Sequence, residues 1–320
     1  MNFISIGVAA FSMFVAQFAL ADAFPTRPIT IVVPFAAGGG TDIVARLVAQ
    51  KLRESLKSSV IVENKSGASG QIATRQVIQS APDGYTLLLG TTSLINNPFL
   101  FSSLPYDAMK QLRPVVSVAD LSIVLAVSEK MGAQNVREFI EIAKKSKGTL
   151  NMGSSGAGTT LHLSAEWLKA NAGFEAAHIP FKGSGPEVAA LGAGEVDFSM
   201  ENIGPVQSMV KSNRVRLLAI AAPKRHPILP DVPTFGESGL PDVNLVTWVF
   251  LMAPTETPDD VVMLLNKAVN QILSSADVKD RLVNMGFVPT GGTPDEMLKR
   301  MNQESVQWGA IIKSAHVTVE

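Results

Sequence analysis

The chain has 320 residues, enough to bury a large core and to divide into two domains. Its 27 basic and 28 acidic residues nearly cancel, leaving no basic field for nucleic acid and no polybasic patch for anionic lipid. It has no cysteine, which excludes disulfide scaffolds, iron–sulfur clusters, zinc fingers and thiol nucleophiles.

Phe3 to Leu20 is almost wholly apolar and ends in Ala19-Leu20-Ala21, a small-x-small pattern followed by Asp22. This reads as an export signal over residues 1–21, cleaved after Ala21. Its short leading stretch, Met1-Asn2, carries no Lys or Arg. An uncleaved anchor is therefore the alternative, since about 18 apolar residues can just span a bilayer. No later run approaches that length, so the rest of the chain is expected to be soluble.

From Pro28 onward, strand-like and helix-like stretches alternate. Pro28 to Pro34 is a β-branched apolar run typical of a buried parallel strand. Thr41 to Leu56 carries Ile43, Val44, Leu47, Val48, Leu52 and Leu56 at helical spacing, with Thr41 or Asp42 as N-cap. A strand at Val60 to Val62, a helix at Gln71 to Gln79 and a strand at Thr86 to Leu89 complete a β-α-β-α-β unit.

A second series follows: strand Ser122 to Val127, helix Val136 to Lys145, strand Leu150 to Gly153 and helix Leu161 to Ala170. It continues with strand Ala177 to Phe181, helix Glu187 to Leu191, strand Val196 to Met200, helix Val206 to Lys211 and strand Arg216 to Ala221. Pro223 to Pro241 is rich in proline and has no period. Val246 to Ala253 is strand-like, and helices at Pro258 to Ser274 and Pro294 to Lys313 finish the chain. Extended crossings near 112–121 and 222–245 flank the second series, so it is expected to be inserted in the first. The predicted division is one lobe of 22–121 plus 235–320 and another of 122–234.

Two glycine-rich loops carry the candidate chemistry: Pro34 to Asp42 (PFAAGGGTD) and Gly153 to Thr160 (GSSGAGTT). Each joins a strand to a helix and can set bare N–H groups and a positive helix N-terminus before a small anion. In the first, the amides of Gly38 to Asp42 are the candidates, because three successive glycines exceed what a helix cap requires. Asp42 itself is expected to cap the helix and pair with Arg46 rather than touch the anion. Neither a dinucleotide fingerprint nor a Walker loop fits this segment.

In the second loop, Ser154, Ser155, Thr159 and Thr160 add hydroxyls that suit a carboxylate held without a fixed cation. An ordinary connection capped by Thr159 or Thr160 fits the same residues. Gly90-Thr91-Thr92-Ser93 ends the third strand, where ligands of open α/β sheets sit, and the hydroxyls of Thr91, Thr92 and Ser93 are candidate contacts or N-caps there. His162 packs or caps beside the second loop, within reach of a cleft. Lys182 either gives a positive charge to a bound acid or is solvated. No G-x-S-x-G elbow and no paired-histidine metal spacing occurs, so no catalytic residue, metal or cofactor is expected.

With the segments around them, these loops resemble the Bug-type solute-binding proteins of tripartite tricarboxylate transporters. The resemblance rests on PITIVVPFAAGGGTDIVAR (Pro28 to Arg46), VIVENKSGASGQIAT (Val60 to Thr74), PDGYTLLLG (Pro82 to Gly90) and GSSGAGTTLHLSAEWLK (Gly153 to Lys169). IPFKGSGPEVAALGAGEVDFSM (Ile179 to Met200), LPDVPTFGESGLP (Leu229 to Pro241) and the W-x-x-x-x-A-P segment ending at Pro254 extend it.

The resemblance implies a periplasmic, two-lobed, type II-like α/β binding fold. Such a protein closes on a small carboxylate and delivers it to the large and small membrane subunits of a permease, and a monomer is expected. Matching positions imply ligand contacts from Phe35, Ala37, Gly38, Gly39, Thr41, Asp42, Thr92, Ser154, Ser155, Thr159 and His162, then Lys182 and Asp197. A receptor presenting its ligand to a sensor kinase, or a hydrolytic enzyme of the same architecture, are the competing expectations.

Overall fold

The fold is taken from a computed structural model that describes residues 24–241 and 243–314; the expected export signal lies outside the described residues. Strand β1 (Ile29–Val33) is buried along nearly its whole length, as an apolar β-branched run covered on both faces must be. It runs parallel to β2 (Val60–Asn64) and β3 (Thr86–Thr91), with helices α1 (Gly40–Leu56) and α2 (Gln71–Ile78) as crossovers. Helix α1 starts at Gly40 rather than at a Thr41 or Asp42 cap, because Gly39 holds the N-cap position in extended conformation.

Two further helices, α3 (Thr92–Leu100) and α4 (Ala108–Gln111), occupy a stretch to which the sequence assigns no element. Both faces of α3 are largely buried and Pro98 lies inside it, so it offers no amphipathic stripe to read. The expected crossing at 112–121 and the expected strand after it form one strand, β4 (Leu112–Ser128).

Beyond β4 the order is α5 (Val136–Lys145), β5 (Asn151–Ser154), α6 (Thr160–Ala172), β6 (Ala177–Pro180), α7 (Ser184–Ala193), β7 (Phe198–Asn202), α8 (Ile203–Lys211) and β8 (Val215–Ile220). After an irregular segment come β9 (Val246–Pro254), α9 (Asp259–Ser274), α10 (Ala276–Asn284), β10 (Phe287–Pro289) and α11 (Pro294–Ser314). Three helices therefore close the chain instead of two; Ser275 alone separates α9 from α10.

The strands order as β2-β1-β3-β9-β4-β7-β5-β6, with β8 and β10 also paired to β4. β4 is the shared element. Its first part, Leu112 to Ser122, pairs with β9, and Ile123 to Val127 pairs with β7. On one side the core is built from residues such as Val33, Val48, Val116 and Leu251. On the other it is built from Phe139, Met152, Leu168 and Phe198. The result is a two-lobed α/β fold. No helix among the described residues is long and apolar enough to cross a membrane.

Helix α11 rivets the crossing strands. Arg300 pairs with Asp120 of β4 at 2.8 Å and Glu304 at 2.9 Å, and lies over the Trp248 ring of β9. The Trp248 indole N–H donates to Glu304 at 2.6 Å. Beyond this cluster, Trp308 and Ile312 of the same helix join the second lobe's core.

Candidate functional site

Helices α1, α3, α6, α7 and α8 each begin just past the carboxyl end of a strand: β1, β3, β5, β6 and β7 respectively. All five N-termini converge on one narrow cavity between the lobes, where ligands of open α/β sheets bind. It is tight, leaving about 20 Å³ for the centre of a water molecule. The first lobe contributes Phe35, Gly39, Gly40, Thr41, Thr91, Ser93 and Thr247; the second contributes Ser155, Thr159, Thr160, Leu161, Ser184 and Asn202. None of these described lining residues is charged.

The five helices divide by how they begin. Thr91 Oγ1 accepts from the Ser93 N–H and caps α3, and Thr159 Oγ1 accepts from the His162 N–H and caps α6. Gly39, Gly183 and Asn202 precede α1, α7 and α8 with no side-chain cap. First-turn N–H groups have no partner within their own helix, so three helices keep donors and a positive dipole end for an anion. The Thr160 and Thr247 hydroxyls in the same wall are buried and unpartnered. Buried polar groups normally find a partner, so this wall has the character of a binding surface.

In the first loop, Asp42 is an organiser. Its carboxylate accepts from the Gly38 N–H at 3.0 Å, Arg46 Nε at 2.9 Å and Asn64 Nδ2 at 3.0 Å. Asn64 also donates to the Phe35 carbonyl. Burial works to raise the Asp42 pKa, but the bonds from Arg46, Gly38 and Asn64 outweigh it and hold the carboxyl below its usual range. Gly38 stands at φ +87°, a conformation that suits glycine. The turn is thus fixed by one buried carboxylate, leaving Gly39 to Thr41 facing the cavity.

The second loop is held by hydroxyls and two stacked imidazoles. The Gly158 N–H donates to His162 Nδ1 at 3.0 Å, which leaves the His162 proton on Nε2, 3.5 Å from Glu166. The His162 and His178 rings stack at 3.9 Å. Burial, and then the neighbouring His162, push the His178 pKa down to about 4. Burial opposes ionisation of Glu166, but His162 and Lys169 bring its pKa down to about 2. His178 Nε2 meets Ser154 Oγ at 2.6 Å, with the spacing of a nucleophile and its base. Ser154 is buried, however, lies outside the cavity lining and accepts from the Gly156 N–H.

Three contacts join the lobes over the cavity. The Ala36 N–H donates to the Lys182 carbonyl at 3.0 Å, and Ser69 Oγ donates to the Ala157 carbonyl. Gly185 sits so close to the first loop that a Cβ there would fall 2.6 Å from the Ala37 carbonyl oxygen.

Of the residues singled out from sequence, Phe35, Gly39, Thr41, Ser155 and Thr159 are in the cavity wall. Ala37, Gly38, Asp42, Ser154 and His162 stand behind that wall and shape its loops. The Thr92 hydroxyl is already used, accepting from the Trp248 N–H. Lys182 offers its carbonyl at the lobe junction while its side chain is exposed. Asp197 accepts from the Asn151 N–H at the far end of β5, roughly 10 Å of strand from the second loop.

Gly40 and Thr160, candidates through the loop amides and hydroxyls, and Thr91 and Ser93 at the end of the third strand are also in the wall, whereas sequence reasoning missed Leu161, Ser184, Asn202 and Thr247. Ser184 and Asn202 carried a signal, since each stands where a predicted strand gives way to a helix. Thr247 carried none, because only the return of β9 beside β4 brings it there.

A larger cavity of about 370 Å³ opens between α3, α4 and α11, lined by Leu94, Pro98, Phe101, Tyr106 and Met109 among others. No helix N-terminus from the second lobe reaches it, and its lining is drawn from the first lobe and α11. Among the described residues, no group of three or more His, Asp or Glu side chains could hold a metal.

The family model of the tripartite tricarboxylate transporter family receptor matches residues 44–317. Three solved structures share the fold across nearly the whole chain. The periplasmic binding protein BugD is 32% identical with a TM-score of 0.89, covering 92% of this chain and 100% of its own. A Rhodopseudomonas palustris protein solved with adipate is 33% identical with a TM-score of 0.90, covering 92% and 100%. MatC from the same species, solved with malate, is 32% identical with a TM-score of 0.86, covering 90% and 100%.

Proposed function

This chain belongs to the tripartite tricarboxylate transporter receptor family, and we propose that it captures a small di- or tricarboxylate, or a related organic acid, in the periplasm for such a transporter. The supporting observation is the cavity wall: three uncapped helix N-termini and two unpartnered hydroxyls with no charged side chain among them. Amide and hydroxyl donors recognise a carboxylate by direction and number, and need no fixed cation. Adipate and malate in the two related structures favour a carboxylate over a phosphate.

In this reading Phe35, Gly39, Thr41, Ser155 and Thr159 touch the ligand. Ala37, Gly38, Asp42, Thr92, Ser154 and His162 set the geometry that lets them do so, and Lys182 joins the lobes through its backbone. Asp197 acts only on the strand beneath. The protein works as a monomer exported by residues 1–21, with the large and small membrane subunits as its partners. The lobes exchange at two points on one level, where Ser122 of β4 pairs with Val246 of β9. Those strands are the hinge, and closure over the acid is the state a membrane partner would read. No bond chemistry is involved, since the buried Ser154–His178 pair does not reach the cavity.

Native mass spectrometry of freshly purified protein tests this, followed by calorimetric titration of stripped protein with di- and tricarboxylates. A retained organic acid, or a saturable exchange with one member of the panel, is the expected result. Turnover of an ester or amide substrate, lost on Ser154→Ala, would instead establish hydrolysis.

A further inference from the structure

Beneath the second lobe's cavity wall lie two glutamates with no solvent exposure, Glu187 in the first turn of α7 and Glu201 on β7. Neither is in an ion pair among the described residues. Glu201 Oε1 accepts from the Asn202 N–H at 2.6 Å, while Glu201 Oε2 and both Glu187 oxygens have no well-formed hydrogen bond, with only the Ser184 hydroxyl near Glu201 and the Ser199 hydroxyl near Glu187. The surroundings offer none with a charge. β5 presents Gly153, whose absent side chain makes room for Glu187 Oε1, and the chain before β7 presents Val196. β4 sets Val124 opposite Glu201, β7 adds Ser199 and α7 adds Ser184. The charged group facing each carboxyl is the other one.

Two carboxylates cannot both stay ionised in such a place, because each would be a buried charge with only a like charge beside it. A single proton resolves the conflict. On Glu187 it supplies the donor that Glu201 lacks, while the Asn202 N–H and the nearby Ser184 hydroxyl favour the ionised form of Glu201. Burial and then the Glu201 charge push Glu187 well above the usual carboxylate range. Both groups that lean on Glu201 are cavity-wall residues: Ser184 and Asn202 line the space where the anion would sit.

We propose that Glu187 and Glu201 share one proton and position Ser184 and Asn202 at the anion site, so that binding an anion and losing that proton oppose each other. Removal of the proton would put two buried negative charges behind a wall whose task, in the carboxylate reading on which this inference rests, is to hold a third. Linkage then requires that anion binding draw a proton onto the pair wherever it is partly deprotonated. Affinity falls as pH rises through that range and is flat below it. These are positioning residues: they reach the ligand through Ser184 and Asn202.

Glu187→Gln and Glu201→Gln keep the shape and leave one ionisable carboxyl beside an amide donor. Without ligand, a raised pair binds more protons folded than unfolded. Wild-type stability should therefore decline as pH rises above the ordinary glutamate pKa of about 4.3. The melting-temperature advantage of Glu187→Gln over wild type should widen with pH, and an advantage that does not change with pH would overturn the shared proton.

With malate and adipate as probes, between pH ~7 and ~9 where simple carboxylic acids are ionised, calorimetry in buffers of different ionisation enthalpy reads proton uptake. Wild type should take up as much as one proton per anion and lose roughly five- to tenfold in affinity across the range; both variants should lose the uptake and the slope. An identical pH profile in wild type and variants would overturn the coupling. Absence of binding by either probe in all three proteins, with the ligand-free difference intact, would overturn the carboxylate reading and the coupling with it, leaving only the shared proton.

Discussion

The two glycine loops look alike in sequence but are built on opposite plans. The first is pinned from outside the cavity by a single buried carboxylate, Asp42, and its helix begins uncapped at Gly39. The second is pinned by Thr159, Ser154 and the stacked His162 and His178, and its helix is capped. One loop thus spends its polar side chain on holding the turn and offers backbone donors. The other satisfies its backbone and offers hydroxyls, of which Thr160 stands unpartnered. Glycine content alone does not make an anion site; what matters is which donors the local bonding leaves over.

The sharpest way to break this contrast is Asp42→Ala. It strips the first loop of its organiser and leaves the Gly38 N–H, Asn64 and Arg46 without their acceptor. A loss of about 2–3 kcal/mol in unfolding stability is expected, with binding abolished. Chemical denaturation and calorimetry would show both. The contribution has a sign in pH. Asp42 has a lowered pKa when folded, so its stabilisation is present above the ordinary aspartate value near 3.9 and fades as pH falls through the folded value.

Gly185→Ala probes the junction instead of either loop. The added Cβ would stand 2.6 Å from the Ala37 carbonyl and hold the lobes apart, while Ala inside a helix is better tolerated than Gly. Affinity should fall by about tenfold or more (~1.4 kcal/mol) while melting temperature holds or rises. A variant that binds as wild type does would show that closure is not needed.

Thr160→Val and Thr247→Val compare the lobes directly, one hydroxyl from each wall. Each should weaken carboxylate binding by about 1 kcal/mol, roughly fivefold, without lowering the stability of the ligand-free protein. Unchanged affinity in both would move the ligand elsewhere. The smallest effect belongs to His178→Asn. Because the folded His178 is held near 4, the unfolded chain binds more protons between about 4 and about 6.5, and wild-type stability falls as pH drops through that window. Melting curves of the variant should be flatter across the same interval.

Much of the framework was readable from periodicity. The α5 helix has the bounds the sequence predicts, and β1, β5 and α6 differ from prediction by a residue or two at their ends. Helices buried over most of their surface, such as α3, gave no stripe to read. The first loop's division of labour was half visible: the Asp42–Arg46 pairing follows from i, i+4 spacing, but the Asn64 contact joins helix α1 to strand β2 across 22 residues and has no local trace. Lys182 and Asp197 show the limit from the other side. A charged residue near a motif suggests a ligand contact, yet where its side chain points depends on strand register.

Backbone amide spectra would test the central assignment most directly. On adding malate or adipate to isotopically labelled, ligand-stripped protein, the N–H signals of Gly40, Thr41, Ser184 and Ile203 should move together and saturate at one concentration. Those are the first turns of the three uncapped helices. If these signals stayed fixed for both acids, or if the shifts gathered instead at Leu94, Tyr106 and Met109 around the larger cavity, the carboxylate would not be held where the lobes meet.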